Sequence, residues 1–356
     1  TYTLHPLKKG YDFSPGFKKL TITEPGSYTI DMVASLYNYR VDGVPKGRLG
    51  NTNVIVSKFG FGGHIYPHNL GNVKEREYLL REAFDYGVTT FDADHDTFRN
   101  AHQFEKVGKY LAPVINDVVI SCILSPFDGR TPEEQLEYDL RLFGKDHIDM
   151  VHYFANSLKT PGSGKNRRLW EDLFRFREQG KIRAVGVPIH DPNDIDLDLL
   201  LKEYPVDFVM FPYNFHHNSS FPLGKYQNGF DTYAQFLRKR GVGVVTMKPF
   251  ATEYFCDTFL EAAKAINPDV RFHLAALRYV INSEMAPDIT FSAMNYICEF
   301  RENVQAYLKP EMTDEERELL DKLRDVALKN AHVLPEHYRF LEKWIPRPDN
   351  EGIEYS

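Results

Sequence analysis

The chain is poor in cysteine. Its three residues of that type, Cys122, Cys256 and Cys298, are scattered through 356 positions and form no C-x-x-C pair. A zinc ribbon, a redox dithiol, a cysteine-held iron–sulfur cluster and a disulfide framework are therefore not expected. Also missing is any run approaching the roughly 18 apolar residues of a membrane span. Positive charge is not in excess either. Lys and Arg number 43 against 50 Asp and Glu, for a formal net charge of −7. Nucleic acids and anionic membranes are gripped through basic surfaces, so neither is expected as a partner. There is no low-complexity segment. The first residue is Thr1 rather than Met, so a removed initiator or leader is one expectation, and cytoplasm and export both stay open as compartments.

What is present is ordinary for a soluble globular protein: 42% hydrophobic and 26% charged residues. The length suits one large domain with a sizeable core. Residues 1–45 read as an extension of loops with a short hairpin, rich in Tyr, Pro, Gly and Lys. From about Gly50 to Leu308 short apolar runs alternate with amphipathic helices. The runs are Val56–Phe61, Val88–Asp92, Val118–Ile123, Ile148–Phe154, Ile182–Val187, Phe208–Tyr213, Val242–Met247 and Ile289–Ala293. Continuous apolar runs of this kind predict strands buried on both faces, and their number predicts a closed (β/α)8 barrel of the TIM type with N- and C-terminal extensions. In Lys74–Tyr86 an apolar stripe runs through Leu79, Leu80, Ala83 and Phe84, and Gly87 supplies the stop. Thr131-Pro-Glu-Glu134 and Thr313-Asp-Glu-Glu316 read as capping boxes. The expected division is an extension over 1–45, a barrel over 46–330 and a tail over 331–356.

Six segments carry a family resemblance. They are Lys46–Gly63, Ala83–Asp92, Leu142–Met150, Gln179–Val187, Gly241–Phe250 with its Met-Lys-Pro, and Arg301-Glu-Asn303. In this order, over about residues 46–308, they resemble the aldo-keto reductases, in the branch with Met-Lys-Pro. The resemblance implies the barrel fold and a nicotinamide cofactor. It also implies a catalytic Asp, Tyr, Lys and His at the C-terminal mouth, with Tyr as general acid and Asp orienting the Lys. Asp92 matches the Asp. The Tyr, Lys and His places fall on Thr97, Ile123 and Phe154, so three of the four roles are unfilled. An aliphatic hydroxyl is far less acidic than a phenol. His152 lies two residues before Phe154, on the same strand face.

The cofactor places are depleted in the same way. The family's Ser-Asn and Gln that hold the nicotinamide fall on Pro188, Ile189 and Met210. Lys248 could still meet a pyrophosphate, and Glu302 and Asn303 an adenine. Glu299 stands where NADPH-using relatives often carry Arg, and a carboxylate there repels a 2′-phosphate. No cofactor is expected beyond residual binding of NAD. The relatives' C-terminal cysteine-bound cluster is not expected, because no Cys follows residue 308.

A second pattern gathers at the strand ends: His64, Asp94, His95, Asp96, His152, His190, His216 and His217. Barrel active sites are built there, so His64, His95, His152 and His190 are candidate metal ligands or acid–base groups. The function expected first is that of a barrel without the reductase tetrad, serving as a structural, assembly or regulatory subunit. Its partner would be another protein or a second copy, met through the terminal extensions. The alternative is an oxidoreductase or metal-dependent enzyme with altered chemistry through Asp92, His95, His152 or His190.

Overall fold

A computed structural model describes residues 2–4, 6, 11–14, 18–36, 43–63, 73–93, 107–124, 130–153, 164–189, 197–215, 229–250 and 253–330. Its centre is a closed barrel of eight parallel strands taken in chain order. These are β7 (Phe59–Gly62), β8 (Thr90–Asp92), β9 (Val119–Ile123), β10 (Ile148–His152), β11 (Ile182–Pro188), β12 (Phe208–Pro212), β13 (Gly243–Met247) and β14 (Ile289–Ala293). Pairing of β14 with β7, Thr290 opposite Phe59, closes the ring. Around it run α1 (Val73–Asp85), α2 (Pro132–Phe143), α3 (Gly164–Glu178), α4 (Leu197–Glu203), α5 (Gly229–Arg238), α6 (Glu253–Ile266), α7 (Phe272–Ile281), α8 (Ile297–Leu308) and α9 (Asp314–Asn330).

Alternation along each strand divides the core in two. Phe91, Ile120, Val151, Val185, Val209 and Val244 point outward into the layer beneath the helices. Val119, Met150, Ala184, Phe208, Met210, Val245, Ile289 and Phe291 fill the barrel interior. The segment expected as one strand, Val56–Phe61, is split. Ile55–Ser57 (β6) pairs antiparallel with Lys46–Arg48 (β5), and the barrel strand begins only at Phe59. The reason lies in the floor of the barrel: Leu49, Val54 and Val56 of this hairpin are fully buried against Phe208 and Val245. Gly50 makes the approach possible, with φ +49° and a place where a Cβ would lie 2.5 Å from Gly243 N.

The helix signals act as their chemistry requires. Thr131 Oγ1 accepts from Glu134 N at 3.2 Å while Glu134 Oε2 accepts from Thr131 N at 2.8 Å. Thr313 and Glu316 repeat the exchange at 3.2 and 3.0 Å. Gly87 ends α1 at φ +88°.

At the N-terminal end of the barrel, alternate strands are laced by carboxylates. Asp149, Asp207 and Asp288 accept the amides of Ile120, Val185 and Val244 from the preceding strand at 3.0, 2.8 and 3.0 Å. Each also holds an arginine: Arg183 at 2.8 Å, Arg177 at 2.6 Å and Arg238 at 3.3 Å.

The extension is more ordered than loops with one hairpin. It forms two interleaved antiparallel ribbons: β1 (Tyr2–Leu4) with β3 (Lys18–Leu20), and β2 (Tyr11–Ser14) with β4 (Val33–Leu36). Arg301 of α8, 8% exposed, holds Glu82 of α1 at 2.5 Å and also donates to the carbonyl of Tyr11. One buried arginine thus ties the extension to the barrel. No helix among the described residues is long and apolar enough to cross a membrane. The tail over 331–356 lies outside the described residues.

Candidate functional site

Three adjacent strands deliver the residues of the mouth. Asp92 ends β8, Ile123 ends β9 and His152 ends β10. The register sets Asp92 beside Ser121, and His152 beside both Ile123 and Gly186. Ser121 Oγ donates to Asp92 Oδ1 at 2.8 Å. His152 Nε2 lies 3.3 Å from the same oxygen. A carboxylate only accepts, so Nε2 is the donor of this contact. The ring is 3% exposed, and Nδ1 has no hydrogen-bond partner among the described residues. Its edge meets the Phe208 ring at 6.5 Å between centroids. Asp92 is therefore a hydrogen-bonded residue closed in by a hydroxyl and an imidazole, with apolar Ile123 at the end of the strand between them.

Ser121 escaped the sequence reading. The sequence shows only a hydroxyl in a strand otherwise made of Val, Ile and Cys, and it is the register that sets it beside Asp92.

The places expected to hold a nicotinamide are apolar and packed. Pro188 sits opposite Met210, and both are buried. Ile189 donates its amide to Met210 O at 2.7 Å, while its side chain belongs to the outer layer and does not line the mouth. Lys248, just past β13, has φ +58°, and its carbonyl accepts from the amide of buried Asn214 at 3.1 Å. A left-handed lysine persists only where its surroundings fix it.

On α8 the acidic residues serve the helix. Glu299 Oε2 accepts the amides of Asn295 and Tyr296 at 2.6 and 3.2 Å, capping the helix start. Glu302 faces His273 of α7 at 3.6 Å. Burial alone would raise the Glu302 pKa, but the His273 hydrogen bond and charge, with Arg271, bring it below its ordinary value. Asn303 is buried at 3% exposure.

Thr97, Phe154, His64, Asp94, His95, Asp96, His190, His216 and His217 lie outside the described residues. Of the four candidate metal ligands, only His152 is placed. Among the described residues no group of three or more His, Cys, Asp or Glu side chains is arranged to hold a metal.

No family model matches the chain. The chain is 25% identical over 118 residues to the methylglyoxal reductase DkgA of Yersinia pestis, a match spanning 33% of this chain and 40% of that protein. The match thus spans well under half the length of this curated relative. Among solved structures, the holo form of aldo-keto reductase AKR11C1 from Bacillus halodurans superposes with a TM-score of 0.60 at 19% identity. It covers 83% of this chain and 99% of that one. An aldo-keto reductase from Klebsiella pneumoniae in complex with NADPH gives 0.59 at 18% identity, covering 78% and 94%. The chain has the aldo-keto reductase fold.

Within the aldo-keto reductase fold, the described strand ends do not fit a nicotinamide at the family's place. Pro188 and Met210 offer no side-chain hydrogen bond there, and Ile189 faces away. Ile123 likewise offers no cation to Asp92.

Proposed function

We propose that this chain is a diverged member of the aldo-keto reductase family that does not run the tetrad reduction and works as a non-catalytic structural, assembly or regulatory subunit. The observation that carries the reading is the environment of Asp92. In the family an aspartate orients a lysine and holds it charged. Here Asp92 is engaged by Ser121 and His152, and the lysine place is Ile123. Without a cation the carboxylate has nothing to pass on to a proton donor. The apolar end of β9 also removes the positive potential that would stabilise a developing alkoxide.

The reading is tested by titrating NADH and NADPH into the protein while following tyrosine and tryptophan fluorescence, and by assaying a panel of aldehydes and ketones. No saturable response up to about 1 mM cofactor, and no turnover, are expected. A dissociation constant in the micromolar range together with cofactor-dependent carbonyl reduction would sink the reading.

A second reading is favoured by one observation, the Nδ1 of buried His152, which meets no partner among the described residues. An imidazole held by a carboxylate through one nitrogen, with the other left open, is the arrangement of metal-binding and proton-transferring histidines. Elemental analysis of the purified protein tests the metal form of this reading. One equivalent of a first-row metal, lost in His152→Gln, is its expected result; substoichiometric metal excludes it.

A further inference from the structure

The closed barrel leaves no strand edge open, whereas the two ribbons of the extension do. β4 pairs with β2 on one side, and among the described residues nothing pairs with its other side. Proteins protect such edges with charge, proline or a bulge. β4 has none of the first two: Met32 through Tyr39 contain no charged residue and no proline. The contrast lies within the same extension, where β3 begins Lys18-Lys19 and β2 carries Asp12.

Exposure points the same way. Seven large hydrophobic residues are exposed among the described residues, and four of them, Leu4, Ile22, Tyr28 and Val33, lie in the first 36 positions. Val33 is 72% exposed, the highest of the set. Ala34 and Ser35 are exposed too, so β4 has exposed residues on both of its faces. A two-stranded ribbon standing in water is marginal by itself, and three or more strands are needed for independent stability. Yet this ribbon is fastened to a fixed point on the barrel by Arg301 through the carbonyl of Tyr11. It is displayed on a rigid body, which lowers the ordering cost of docking.

We propose that β4 is the contact strand of a homodimer, pairing antiparallel with β4 of a second copy to give a four-stranded sheet, β2-β4-β4-β2. Its own composition selects this occupant. An uncharged strand meets no like-charge penalty when it lies against itself. Antiparallel pairing of identical strands is two-fold symmetric, so one patch serves both copies and the assembly closes at two. Pairing supplies ladder hydrogen bonds to the open edge, and with the two-fold axis at Val33 the Val33 side chains of the two copies lie opposite each other. This inference rests on the reading of the chain as an assembly subunit and names the partner, but it is decided by a different measurement.

Sedimentation equilibrium of the full chain from about 1 to about 100 µM decides it. The wild type is expected to shift from monomer toward dimer across this range. Val33→Lys and Val33→Glu are each expected to stay monomeric, with at least a tenfold weaker association and unchanged circular dichroism. Mixed together, they are expected to dimerise again, since opposite charges then face each other across the new pair. Restoration by mixing is an effect that a merely structural role of Val33 would not produce. A wild type that stays monomeric overturns the proposal. So does a dimer that both variants leave intact. A monomer whose β4 amides are protected from hydrogen exchange assigns the edge to another segment of the same chain, and this too overturns it. Cofactor-dependent carbonyl reduction by an intact β4 dimer would instead defeat the reading of function while leaving the dimer in place.

Discussion

Asp149→Ala is expected to lower the stability of the barrel by about 3–5 kcal/mol, the scale for removing one partner of a buried ion pair. The side chains of Asp149 and Lys145 are each 2% exposed, and they lie 3.0 Å apart. Asp149 also accepts from Arg183 at 2.8 Å, from His147 at 3.3 Å and from the amide of Ile120 at 3.0 Å. Alanine would leave the Lys145 ammonium buried with only the carbonyls of Val118 and Ile115, and would orphan an amide of β9. Asp149→Asn keeps an acceptor for that amide and removes only the charge, so a smaller loss is expected. Chemical denaturation of the two variants measures both. Equal stability of Asp149→Ala and wild type would show that the carboxylate does not fasten β9 to β10.

The same group sets an acid limit. Burial pushes the Asp149 pKa up, but hydrogen bonding from His147 and the charge of Lys145, with the Ile120 amide, outweigh burial and bring it down from 3.8 to about 2. A depressed carboxylate stabilises the fold above its unfolded value, and the contribution is lost as pH falls through the folded value. A loss of about 2 kcal/mol is therefore expected between roughly pH 4 and pH 2, and it should be absent in Asp149→Ala.

Much of the barrel is written in the sequence because a parallel barrel strand is buried on both faces. Ile289–Ala293 has the same bounds in sequence and structure, and most other strands differ by a residue or two at an end. The split of Val56–Phe61 was not readable. Ser57 and Lys58 interrupt the apolar run only weakly, and the turn is imposed by the floor packing of Leu49, Val54 and Val56, contacts remote in sequence from Phe208 and Val245. The ribbons of the extension were also hidden. β1 skips β2 to pair with β3, so no turn signal joins the partners.

For the site, substitution could be read but compensation could not. Ile123, Pro188 and Met210 announce a missing lysine and a missing grip by their side chains alone. That Asp92 would be met by Ser121 and His152 depends on register across three strands, which composition does not encode. Glu299 and Glu302 show the converse. An acidic residue near the start of a helix can serve the fold or meet a ligand, and the structure gives Glu299, in the first turn, to the cap and Glu302, in the second, to His273.

Asp139→Asn is expected to stabilise the protein, increasingly as pH rises above about 4 and in full by about pH 8. Asp139 is fully buried on the inner face of α2, where one oxygen accepts from Gln135 at 2.8 Å and the other has no partner among the described residues. Burial raises its pKa from 3.8 to about 7, against the opposing hydrogen bond from Gln135 and the charge of Arg130. A raised carboxyl favours the folded state while it stays protonated, in full below the unfolded value, and that advantage drains away as pH rises through the folded value. A rise of that size corresponds to a loss on the order of 4 kcal/mol between about pH 4 and pH 8. Asparagine keeps the oxygen that meets Gln135 and cannot ionise. The variant should therefore match the wild type near pH 4 and melt several degrees above it at pH 8, with a flatter profile between. A gap between the two melting curves that is the same at every pH would mean that Asp139 does not titrate in the fold. The position would then be a matter of shape and hydrogen bonding alone.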